Sequence, residues 1–158
     1  MRKVALVLAI LTVTVMTASA QRETLWKSTN VELEEYTKES GEVVYHVYSK
    51  EMKYEEMFYL LTVSSGEIAE VYEDMQYFDK ICELPKGTSE TRKGMDIASR
   101  DGRSIFVVVE GEVGFTAIFH HDLKRVMKKL ENRAEERGVS LTGTTGAVSQ
   151  AADATQAK

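Results

Sequence analysis

The chain has 158 residues, 43% hydrophobic and 28% charged, a balance that excludes wholesale disorder and collagen-like repetition. With 25 acidic against 20 basic residues and a net charge of −5, it lacks the basic excess that replaces phosphate counterions, which argues against nucleic acid as a partner. Cys82 is the only cysteine, so no intramolecular disulfide can form and the fold must rest on its core.

The first twenty residues, MRKVALVLAILTVTVMTASA, join Arg2 and Lys3 to an apolar run from Val4 to Ile10 that continues through Val13, Val15 and Met16 and closes on Ala18-Ser19-Ala20. A basic end, an apolar middle and small side chains at Ala18 and Ala20 make the pattern of a secretory signal peptide, cleaved after Ala20. The run is short of the roughly 20 apolar residues a spanning helix needs. No cysteine lies near the cleavage point to carry a lipid. The expected mature protein is therefore free of the membrane, periplasmic or secreted, and the style of the segment points to a bacterial source. Removing two basic residues and no acidic one would leave it with a net charge of −7.

In chain order, residues 31–36 alternate Val31 and Leu33 with acidic residues and read as a strand. Gly41 allows a turn into a second, where Val43, Tyr45 and Val47 share one face and Val44, His46 and Tyr48 the other. Residues 57–63, MFYLLTV, read as a third. Short connections make the three an antiparallel meander. Ser64 is placed to cap the helix that follows, with Glu67 to return the bond and Val63 opposite Ile68 as a staple. Ile68, Val71, Tyr72, Met75, Phe78 and Cys82 recur at helical spacing until Pro85 and Gly87 stop the run.

The second half repeats the scheme. Residues 89–98 carry Thr91, Met95 and Ile97 among polar neighbours, Asp101-Gly102 signals a tight turn, and Ile105–Val109 is β-branched enough for a central strand buried on both faces. Gly111-Glu112 turns into Val113–Phe119. Asp122 then reads as the cap of a helix with Leu123, Val126, Met127, Leu130 and Ala134 on one side and Lys124 to Lys129 contributing its solvated basic back, ended by Gly138. The predicted organisation is a signal peptide over 1–20, one domain over 21–138 and a flexible low-complexity tail over 139–158, which has no aromatic residue to bury. The predicted fold is α+β: a two-layer sandwich of a continuous antiparallel sheet with two amphipathic helices on one face, in βββα-βββα order.

Chemistry is thinly signalled. His120, His121 and Asp122 stand between the last strand and the last helix, where imidazoles and a carboxylate could bind a metal or an anion. Neighbouring histidines at a strand end point to opposite sides, however, so no metal site and no cofactor is assigned. Ser64, Ser65 and Ser104 lie in no Gly-x-Ser-x-Gly turn, and neither a His-Glu-x-x-His motif nor a phosphate-cradling glycine loop occurs. Tyrosines outnumber phenylalanines seven to five, and one face of the sheet must carry some of them outward. The expectation is a non-catalytic binding protein of the bacterial envelope. Its candidate binding residues are Tyr45, Tyr48, Tyr59, His120 and His121, and its expected partner is an envelope or secreted protein, a peptide or a small ligand. The alternative is a small secreted hydrolase or metal-dependent module using His120 or His121 with carboxylates.

Overall fold

The computed structural model describes residues 20–53, 59–111 and 114–141. Most of the signal segment, the start of the third predicted strand at Met57 and Phe58, Glu112, Val113 and the tail from residue 142 lie outside the described residues. The elements are β1 (Gln21–Lys27), β2 (Val31–Thr37), β3 (Val43–Lys50), β4 (Leu60–Gly66), α1 (Ile68–Glu83), β5 (Ser89–Arg92), β6 (Met95–Ser99), β7 (Ser104–Val109), β8 (Thr116–Phe119) and α2 (His120–Arg137). The α+β architecture of antiparallel strands and two amphipathic helices is as the sequence reads, with one strand more in each half. The strands do not form one continuous sheet. They make two four-stranded meanders, β1-β2-β3-β4 and β5-β6-β7-β8, each followed by its helix.

Local chemistry explains both added strands. β1 is mostly exposed and polar, and its pairing with β2 slips at a bulge between Thr24 and Trp26, so Leu25 and Trp26 break the two-residue alternation that marks a strand. Residues 89–98 are a hairpin instead of one strand. Its tight turn is Lys93-Gly94, with Lys93 in the left-handed region at φ 50°, where Asn or Asp would have been the recognisable signal.

Helix starts also shift. The residue before α1 is Glu67, whose backbone N–H donates to the Glu70 carboxylate, while Ser64 stays in β4 and donates its hydroxyl to Asp74. The residue before α2 is Phe119, and Asp122 sits inside the first turn, buried, with its carboxyl raised by burial and partly offset by His121 and Ser28. Gly138 ends α2 as read: it adopts the left-handed conformation at φ 64°, and the Gly138 and Val139 amides close onto carbonyls of the last turn.

A single core joins both halves. Leu33 and Val47 on the first sheet, Ile97, Ile105, Val107 and Ile118 on the second, and the stripes of α1 and α2 belong to one apolar cluster. The sheets meet where β3 ends and β8 begins. Thr116 Oγ1 lies 2.6 Å from the Lys50 carbonyl oxygen and 2.6 Å from Ser49 Oγ, and the Met52 amide donates to the Phe115 carbonyl. Gly114 permits this approach, since a β-carbon there would stand 2.6 Å from Glu51 Oε1. Among the described residues no helix is long and apolar enough to cross a membrane.

Candidate functional site

Both helices pack into the core with the inward residues of the two sheets, so among the described residues each sheet has an outer face without a helix. The two outer faces differ. On the first sheet, strand alternation turns Glu32, Glu34, Val44, His46 and Tyr48 outward. Arg22 and Lys27 from β1 pair with Glu34 and Glu32, the Arg22 guanidinium lies 5.8 Å from the Tyr48 ring centre, and His46 stacks on Tyr48 at 5.7 Å. These contacts bury the carboxylates of Glu32 and Glu34 almost completely. Burial lowers the His46 imidazole from its ordinary value and raises the Tyr48 phenol. This face is a closed polar mesh.

The outer face of the second sheet carries an apolar patch. Ala98, Phe106, Val108, Ala117 and Phe119 share that face by register with the polar Ser89, Thr91, Asp96 and Ser104, and Ala117 and Ser104 are covered. Phe115, just before β8, meets Phe106 edge to face at 5.6 Å, and the Arg100 guanidinium caps Phe106 at 4.9 Å. Val108 is 44% exposed, Phe115 36% and Met52 42%. The β-branched run Ile105–Val109 is thus central in its sheet, flanked by β6 and β8, but it is buried on one face only. Neither Phe106, Val108 nor Phe115 stands out in sequence, because an apolar run reads as burial.

The five sequence-predicted site residues are not brought together. Tyr45 faces the core at 2% exposure and donates its hydroxyl to Glu35 at 2.8 Å, and burial together with that carboxylate pushes the phenol up to about 12. Tyr48 belongs to the opposite, outer face. Tyr59 is 51% exposed at the entry to β4, where its carbonyl accepts the Glu51 amide. His121 projects from the start of α2 and stacks on Phe119 at 5.7 Å, at the rim of the apolar face. His120 turns the other way, toward α1.

The Ser64 and Ser104 hydroxyls and the thiol are committed elsewhere, while Ser65 is exposed on β4. Ser64 donates to Asp74, which also receives Lys93 at 2.8 and 2.9 Å, and Ser104 donates to Asp101; each serine is held by a carboxylate. Cys82 is fully buried, and burial raises its thiol, so it packs as a small apolar residue.

His120 meets two carboxylates from the last turns of α1. One atom each of Asp79, Glu83 and His120 lie within 4.8 Å of one another. His120 Nε2 stands 2.9 Å from Asp79 Oδ1 at ion-pair distance, yet both atoms are buried and neither takes part in a hydrogen bond. The other Asp79 oxygen receives Lys124 at 2.6 Å. Asp79 and Glu83 are spaced i,i+4 and so share a helix face, but about forty residues separate them from His120 in sequence, which kept the grouping hidden.

Compared with protein-family models, curated proteins and solved structures, the chain gave no match.

Proposed function

We propose that this is an exported, non-catalytic binding protein that holds an apolar segment of a partner protein against the outer face of β6, β7 and β8. The carrying observation is the exposure of Val108 and Phe115 around the half-buried Phe106 ring, in a sheet whose other face already supplies the core. A chain with 28% charged residues has polar side chains available for a solvated sheet face, as β2 and β3 demonstrate on the first sheet. Contiguous aromatic and β-branched groups in that position mark an interaction surface. Arg100 gives it a polar edge, and Asp96, paired across from Val108, sets one carboxylate within it. Export is supported by the signal-peptide pattern of residues 1–20.

The test is selection of random linear peptides on the wild-type protein, followed by binding to Val108→Lys. A lysine at this position faces Asp96 across the strand pair and so forms an opposite-charge pair that preserves the fold. Selected peptides rich in apolar residues, losing about tenfold or more in affinity to Val108→Lys at unchanged melting temperature, are the expected result. Absence of enrichment, or affinity indifferent to Val108→Lys, overturns the reading.

A further inference from the structure

We infer that Asp79, Glu83 and His120 form a binding site for one divalent transition-metal ion, with zinc as the ion that suits them. The site is separate from the apolar sheet face and owes nothing to it. One imidazole and two carboxylates are a nitrogen and oxygen donor set that zinc accepts, with bonds of about 2.0–2.2 Å. At such bond lengths neighbouring ligand atoms stand about 3 to 3.5 Å apart, and wider pairs a little over 4 Å. The 2.9 Å between His120 Nε2 and Asp79 Oδ1 is slightly under that spacing and the 4.8 Å envelope of the three atoms slightly over it, so small side-chain rotations would bring all three onto one ion.

Two further observations point to a bound cation. First, Nε2 and Oδ1 are buried and share no hydrogen bond, so the shortest contact of the cluster leaves both polar atoms unsatisfied. Buried polar atoms are normally matched, and an ion between these two would match both. Second, Asp79 and Glu83 lie in the last five residues of α1, where the helix dipole disfavours carboxylates. Lys124 answers one Asp79 oxygen from α2 and also lies in the field of Glu83, leaving Asp79 Oδ1 to the ion together with the Glu83 carboxylate. The metal would tie the end of α1 to the start of α2 beside β8. His121 takes no part, since it points to the opposite side and stacks on Phe119.

Zinc titrated into the metal-free full chain, followed by calorimetry and thermal melting, tests the site. One equivalent bound with a raised melting temperature is expected, weakened about tenfold or more in His120→Ala and in Glu83→Gln and unchanged in His121→Ala. Glu83 is exposed at the helix end, so Glu83→Gln keeps the test valid should His120→Ala fold poorly. X-ray absorption of the zinc-loaded protein is expected to show nitrogen and oxygen neighbours including one imidazole. No binding at millimolar zinc, affinity unchanged in Glu83→Gln, loss in His121→Ala, or a sulfur neighbour from Cys82 would each overturn the assignment.

Discussion

A carboxylate with almost no solvent access needs cations aimed at it, and Glu35 has two. Arg133 reaches it at 2.7 and 2.9 Å, Arg137 joins at 3.2 Å through Nε, and Tyr45 donates from the neighbouring strand. Burial alone would push this carboxyl up, but the hydrogen bonds from Arg133, Arg137 and Tyr45 prevail and hold it at about 2. The folded value lies below the unfolded one, so the cluster contributes stability above the ordinary carboxylate range, and that contribution is lost as pH falls from about 4.5 toward 2. Glu35→Gln is expected to cost about 2 kcal/mol at neutral pH, discounted because both arginines are partly solvated. It should also flatten the acid limb of a urea-denaturation series. An acid limb as steep in the variant as in the wild type would assign the pH dependence to other groups.

At the level of elements, the junction of β3 with β8 substitutes for the hydrogen-bonded ladder that a continuous sheet would have supplied. Thr116 is fully buried there, between Ser49 Oγ and the Lys50 carbonyl. Thr116→Val keeps the shape and removes the hydroxyl, leaving buried oxygens unmatched at a cost of about 1–3 kcal/mol. A double-mutant cycle with Ser49→Ala should return a coupling of about 1 kcal/mol, and a coupling near zero would mean the two sheets are joined by apolar packing alone.

The helices were legible because Ile68, Val71, Met75 and Phe78, and likewise Leu123, Val126, Met127 and Leu130, repeat at the helical period and are all buried. Alternation in β3 likewise separated Tyr45 from Tyr48. β1 and the β5–β6 hairpin were not legible, since a bulge and a Lys-Gly turn obscure the usual marks. The split into two sheets depends on contacts between residues some sixty-six positions apart, such as Lys50 with Thr116, which no local pattern encodes. The same holds for His120 with Asp79, and for Glu35, whose arginines arrive from the far end of the chain.

For the molecule as a whole, the two sheets share a core and differ in what they turn outward: a salt-bridged mesh on one, an aromatic surface on the other. Full burial of a side chain such as Val, Met or Phe is worth about 1.5–3 kcal/mol, and since only about two-fifths of Val108, Phe115 and Met52 remains exposed, covering all three offers a partner about 2–4 kcal/mol before ordering costs. The outer mesh of the first sheet offers no comparable gain, because its charges are already paired.

Site-specific photo-cross-linking in intact cells tests this difference most directly, with a photoreactive residue at position 108 and, in parallel, at Thr62 on the outer side of the first sheet. One discrete adduct from position 108, mapping to an apolar segment of its partner and absent from position 62, is the predicted result. No adduct from position 108, or the same adducts from both positions, would contradict it.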